Sequence, residues 1–329
     1  MGELHFSGGV VRPRGCCFAL ILLLAAVPRG TVAQTNTVYD FLRSDMNARA
    51  AGLAGSFVSI TDDPKTLFYN PASLGTLTCP RGTVGFFKNL MDINAGSIAY
   101  GQRLNDSSAL DGTIAGGIIY QNYGTFAETD ESGETIGSFS AGDLAFVAGY
   151  ANTLDENLYW GASVKYIYSS IAGYSSSALA GDFGILYNLP ESRLSIGASI
   201  RNLGFQLKTY LGTREDLPVD ATLGASFTPK GLPLLLNFDL HKLNQTVENF
   251  GQRFRSFTLG GEFTVSRVIL LRFGFNNEQR KDLVLGSTSG MTGFSGGLGI
   301  NVRTYRLDYA ISSLGNIGNL HRISVSSTF

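Results

Sequence analysis

The last nine residues, His321-Arg322-Ile323-Ser324-Val325-Ser326-Ser327-Thr328-Phe329, constrain this chain more than any other stretch. Ile323, Val325 and Phe329 share one face at period two, and Arg322, Ser324, Ser326 and Thr328 share the other. An amphipathic strand that stops on an aromatic residue has the form of a barrel-closing strand. The expectation is an all-β fold: a transmembrane outer-membrane β-barrel of about fourteen antiparallel strands, with an N-terminal hatch or plug segment.

Alternation recurs from residue 81 onward. Phe257, Leu259, Phe263 and Val265 oppose Ser256, Thr258, Glu262 and Thr264. Leu158, Trp160, Ala162, Val164, Tyr166 and Tyr168 oppose Gly161, Ser163 and Lys165. Strands are expected near 81–88, 94–103, 111–121, 138–151, 156–169, 177–189, 192–203, 217–228, 231–241, 252–265, 267–276, 292–301, 303–312 and 319–329. Six connections are mostly short and carry turn chemistry, such as Asn152–Asp155 and Pro190-Glu191. Those between them, 122–137, 204–216, 242–251 and 277–291, read as long loops. Long alternating with short is the pattern of extracellular loops against periplasmic turns, so both barrel ends should face the periplasm.

Composition agrees. Charged residues are 16%, against about 25% in soluble domains, and 41 of the 329 residues are Gly. A secreted β-sandwich also alternates, but this length would need two or three such domains, and neither linker nor repeat is visible. A net charge of −1 gives no reason to expect nucleic acid.

Residues 1–33 read as a cleavable signal peptide. Arg12 and Arg14 precede an apolar run from Cys16 to Val27, and Thr31-Val32-Ala33 is a small-residue site that places cleavage after Ala33. The run is about 12 residues, short of the ~20 that a spanning helix needs. Cys16 and Cys17 leave with the signal, so Cys79 remains alone and no internal disulfide is expected. The expected location is the bacterial outer membrane, with outer-membrane lipid and the barrel assembly machinery as partners.

Residues 34–80 do not alternate and are rich in small and turn-forming residues. Such a segment cannot form lipid-facing wall, so it is expected to fold inside the barrel that residues 81–329 build. Asp62, Asp63, Asn70, Pro71 and Ala72 are its candidate hatch motif. The Asp62-Asp63 pair before Pro64 suits a turn or helix cap better than a calcium site.

The phrases ARAAGLAGSFVSITDDP and LFYNPASL resemble the opening of the PorV/PorQ family, which is similar to the fourteen-stranded FadL-type transporters. YGTFAETDESGETIGSFSAGD, GASVKYIYSSIAGYSSSALAGDFGILY and IRNLGFQLKTYLGTREDLPVDATLGASF extend the resemblance, closest to its PorQ branch, from about Val38 to the C-terminus. The resemblance implies a non-enzymatic component of the type IX secretion and cell-surface attachment machinery. The implied partners are the PorV shuttle, the PorU sortase and the surface protein PorZ. The alternative function is FadL-like transport of small hydrophobic compounds. An apolar pocket beneath the hatch would distinguish it.

Candidate partner-docking residues lie in two loops. Tyr123, Phe126, Glu128, Asp130, Glu131 and Glu134 are in the first, and Lys208, Tyr210 and Arg214 in the second. The opposite strand faces place Asp143, Lys165, Asp182, Arg201, Asp220, Asp239, Glu262, Arg272, Arg306 and Asp308 in the lumen. There, cross-strand pairs that fill and close the barrel are favoured over a charged pore.

No enzyme is expected. Gly293-Phe294-Ser295-Gly296-Gly297 matches the G-x-S-x-G pattern, and Asp308 and His321 follow it in hydrolase order. Parity, however, puts His321 on the lipid face, away from Ser295 and Asp308. The three His have no ligand spacing, and no phosphate loop occurs, so neither a metal nor a cofactor is expected.

Overall fold

The computed structural model describes residues 37–88, 93–104, 111–245, 250–283 and 290–329. The expected signal segment lies outside them. The described chain is a closed antiparallel barrel in sequence order, sealed by pairing of its last strand with its first.

The strands are β1 (Arg81–Lys88), β2 (Asn94–Arg103), β3 (Thr113–Thr129), β4 (Thr135–Asp155), β5 (Leu158–Ile171), β6 (Tyr174–Leu189) and β7 (Leu194–Lys208). The second half comprises β8 (Asp220–Phe227), β9 (Leu234–Leu240), β10 (Phe257–Thr264), β11 (Ile269–Asn276), β12 (Phe294–Val302), β13 (Tyr305–Ser313) and β14 (Asn319–Thr328). β14 runs against β1 from Arg81↔Thr328 to Lys88↔His321, with Val325 opposite Val84 and Ile323 opposite Phe86. The Phe329 amide donates to the Pro80 carbonyl at 3.0 Å, so the closing strand ends on the first residue before the wall.

The wall is the inverse of a soluble sheet. Ile98, Val164, Leu271, Phe273 and Val325 are exposed on the outside, while Lys165, Asp182, Arg272 and Asp308 are buried inside. Apolar-out, polar-in alternation is stable only when the outer solvent is hydrocarbon. No helix among the described residues is long and apolar enough to cross a membrane, and the strands make the crossing.

Three strands, β3, β4 and β7, run well past expectation, and the extensions have local causes. Residues 122–137 are not a loop. β3 and β4 continue through them and turn only at 130–134. Gly124 takes a left-handed φ of 83°, and the register slips between Asn122 and Thr125, so the alternation that would have revealed the continuation is broken. β7 likewise runs on to Lys208 rather than stopping near 203. Asn202 has φ 59°, and the β6–β7 register shifts between the Gly181 and Phe183 pairs. Arg201 and Asn202 are therefore both buried, and the outward residues change from even positions to Leu203, Phe205 and Leu207. The long connections are instead 209–219, 241–256 and 277–293, all at one end of the barrel, which is termed the mouth.

Residues 37–80 lie inside. Thr37 bridges Asp216 in the β7–β8 connection at the mouth, while β1 starts at the opposite end. The hatch thus threads the full length of the lumen. It contains α1 (Ala48–Gly52) and short 3-10 turns at Asp40–Arg43, Pro64–Phe68 and Pro71–Thr76. Its apolar side chains pack among themselves and on the wall: Leu53, Phe57 and Ile60 form one cluster, and Leu67, Leu74 and Leu77 meet Ala115 and Val147 in another.

The abundance of Gly finds its main explanation here. At Gly184 a side chain would strike Asn70, at Gly161 the Pro71 backbone and at Gly197 the Val58 carbonyl. A Cβ at Gly274 would lie 2.5 Å from the Ala54 nitrogen. The wall is stripped of side chains where the hatch backbone touches it.

Candidate functional site: the hatch clasp and the mouth cavity

α1 brings Arg49 inward. Its N-cap Asn47 accepts from the Arg49 amide at 3.0 Å, fixing the first turn. Fourteen residues after Arg49 the Asp63 carboxylate caps the next turn by accepting from Lys65 N at 3.1 Å. These local signals aim three charged hatch side chains at three charged wall side chains.

The result is a closed ring of alternating charge. Arg49 contacts Asp63 at 2.8 Å and Glu262 at 2.8 Å. Glu262 contacts Arg272 at 2.6 Å, and Arg272 contacts Asp308 at 2.8 Å. Lys65 completes the ring, 3.5 Å from Asp308 and 3.9 Å from Asp63. Three members come from the hatch and three from β10, β11 and β13. Burial acts to raise the Asp63 carboxyl, but Lys65 and Arg49 outweigh it and hold it below the ordinary aspartate range. Burial lowers the Lys65 ammonium despite Asp63 and Asp308.

Further ties surround the ring. The Asp239 carboxylate accepts from Phe57 N at 2.7 Å and Val58 N at 3.0 Å. Asn70 caps the turn at Ala72 N, 3.1 Å away, and its amide donates to Val58 O at 2.8 Å and Ile185 O in β6 at 3.2 Å. Pro71 occupies the first helical position, where its missing N–H costs nothing. Asp62 bonds Thr78 N at 3.2 Å and pairs with Arg81 at 3.0 Å, so the two aspartates serve as turn and cap residues. No metal-ligand cluster occurs among the described residues.

Four other lumen charges pair across strands, Lys165 with Asp182 at 2.9 Å and Arg201 with Asp220 at 2.5 Å. This is the filled lumen expected from sequence, rather than a charged pore. What the sequence reading missed is Arg49 and Lys65, because the hatch has no periodicity from which to infer direction.

Above the clasp, at the mouth, lie polar cavities of about 170 and 330 Å³. Both are lined by Arg43, Asp45, Lys242 and Glu278, so the space next to the hatch is charged rather than apolar. A separate cavity of about 400 Å³ is aromatic. Val38 and Tyr39 of the hatch line one side, and Tyr123, Phe126, Ile171 and Tyr210 line the other. Its polar edge is a chain of hydrogen bonds: Tyr123 donates to Asp143 at 2.7 Å, Ser169 donates to Asp143, and Tyr210 donates to Ser169. A larger recess of about 820 Å³ lies on the lipid side, against Phe273, Phe294 and Ile311.

The structure therefore joins Tyr123, Phe126 and Tyr210 from the two candidate loops. It does not join the rest to them. Glu128, Asp130, Glu131 and Glu134 are exposed at the tip of the β3–β4 hairpin, where Asp130 accepts from Ser132 N and Glu134 N, both at 2.9 Å. Lys208 and Arg214 are exposed and do not line the cavity. The hydrolase pattern is scattered. Ser295 sits within β12 rather than on an elbow, Asp308 is in the clasp, and His321 faces outward, its Nδ1 2.7 Å from the Tyr309 hydroxyl.

No family model and no curated protein matches this chain in sequence. Solved structures do match in fold. The Ralstonia pickettii toluene transporter TbuX aligns with TM-score 0.59 at 14% identity, covering 86% of this chain and 98% of that one. The Pseudomonas putida toluene transporter TodX aligns with TM-score 0.57 at 13% identity, covering 85% and 96%. A Pseudomonas aeruginosa FadL homologue aligns with TM-score 0.55 at 12% identity, covering 86% and 98%. The chain shares the barrel fold of these three outer-membrane proteins.

Proposed function

We propose that this chain takes up small aromatic compounds carrying a hydrogen-bonding group through the outer membrane. The mouth cavity carries the reading. Its volume, about 400 Å³, is in the range of small-molecule sites, and its walls combine Tyr and Phe rings with one polar edge at Asp143 and Ser169. Val38 and Tyr39 belong to the hatch, so an occupant touches plug and wall at once. The fold shared with two toluene transporters supports the class of solute. The charged space beside the clasp argues for a solute that is not purely hydrocarbon. Titration with p-cresol and toluene, followed by calorimetry on the detergent-purified barrel, tests it. Saturable p-cresol binding, tighter than toluene and weakened at least about tenfold by Tyr39→Ala with Tyr210→Ala, is expected. No saturable binding of either compound would overturn the reading.

A second reading is favoured by one observation. The β3–β4 hairpin rises beyond its neighbours and ends in exposed carboxylates, which suits a docking role of the kind that the PorV/PorQ resemblance implies, in type IX surface attachment. The partners there would be PorV-, PorU- or PorZ-like proteins. Replacing residues 122–137 should then release surface partners that co-purify with the native barrel.

A further inference from the structure

β2 pairs with β3 only as far as Asn94↔Asn122, and β5 pairs with β4 only from Ile171↔Ala141 onward. Beyond these points, among the described residues, β3 and β4 pair with each other alone, from Thr125↔Ser140 to Thr129↔Thr135. At ~3.3 Å per residue, residues 123–129 carry the hairpin roughly 23 Å past β2. The last tie on the β5 side is Ala172 N to Ser140 O, so Thr135–Phe139 has a free backbone edge among the described residues. A free edge of this length is a template for another strand, and proteins that do not use one usually blunt it with Lys, Pro or burial. This one has no Lys, Arg or Pro between Arg103 and Lys165, and its charge is all negative, which guards it against its own kind and not against a basic strand.

The hairpin is also braced by its own side chains. Phe126 and Phe139 stack across the hairpin with ring centroids 5.3 Å apart, and Asp130 ties the turn. Ile136 is 65% exposed beside the edge. Glu128, Asp130, Glu131 and Glu134 give it uncompensated negative charge. A second copy of the hairpin would bring like charges together, which disfavours self-pairing.

We infer that the outer edge of the β4 extension, Thr135–Phe139, docks an extended basic segment of another protein by strand addition. Backbone hydrogen bonds supply the pairing, the carboxylates select Lys and Arg, and Ile136 meets an apolar side chain. The inference stands apart from the uptake reading, because the paired edge lies outside the lumen. It deepens the docking reading by naming the chemistry of the partner.

The test uses the full barrel in nanodiscs and three fluorescent peptides of equal length: Lys alternating with Val and Thr, Glu in place of Lys, and the Lys peptide interrupted by Pro. Anisotropy should show binding of the first only, weakened at least about tenfold by raised salt and by E128K/D130K/E131K/E134K. Heat-modifiable gel migration verifies that the variant is folded. Amide exchange at 135–139 should slow in the complex. Salt-sensitive binding without slowed exchange, or equal binding of the Pro-interrupted peptide, would overturn strand addition and leave the docking reading standing. No binding by any peptide would overturn both.

Discussion

At the residue scale the clasp makes the sharpest claims. Glu262 is shared by Arg49 and Arg272, and a buried pair that loses one member costs about 3–5 kcal/mol. Glu262→Gln should loosen the hatch while leaving the barrel folded. Planar-bilayer recording should then show current through a wall that is closed in the parent protein. Unchanged insulation would mean that the ring does not hold the plug. Asp63 adds a pH dependence. Its value in the folded protein lies below its unfolded value, so its contribution is complete above the ordinary aspartate value of ~3.9 and fades as pH falls through the lower folded value. Pepsin should therefore cut the hatch only well below pH ~4, and Asp63→Asn should make cutting easier across the range where the parent resists. At this scale the sequence was half legible. Glu262, Arg272 and Asp308 followed from strand parity, whereas Arg49 on α1 and Lys65 on a 3-10 turn take a direction that only the packed hatch sets.

At the element scale the fit of hatch to wall depends on absent side chains. A Cβ at Gly197 would strike the Val58 backbone carbonyl, and one at Gly184 would strike the Asn70 side chain, which three hydrogen bonds hold in place. Gly184→Val should unseat the hatch near Asn70. A cysteine placed at Ser56, fully buried in the parent, should then react with maleimide in the folded variant. Equal protection in both would show that the wall yields instead. Strand positions were largely readable, because period-two alternation survives wherever one face meets lipid and the other meets hatch. The reading failed at Gly124 and Asn202, where one left-handed residue inserts a bulge and resets the parity. The same two bulges accompany the raised β3–β4 hairpin and the extension of β7 to Lys208.

At the scale of the whole molecule, two properties coexist. The chain is a lipid-facing barrel turned inside out relative to a soluble fold, and it is plugged along its whole length by residues 37–80. Alternation, low charge and the aromatic final strand made the barrel legible, since each follows directly from the solvent. The connection pattern was legible only in part, because β3–β4 and β5–β6 are tight hairpins and the asymmetry rests on three long connections. The route of the hatch from mouth to floor was not legible, since a non-periodic segment carries no record of its path. The central claim is that the plug is clasped at rest and must leave its seat for a solute to pass. Ser59 of the hatch and Ser226 of β8 are hydrogen-bonded to each other, which makes S59C/S226C a natural lock. Uptake of labelled p-cresol by cells carrying this variant, measured before and after reduction, is the most direct measurement. The account predicts uptake at background when the disulfide is closed and near the parent rate when it is reduced. Equal uptake in both states would contradict it.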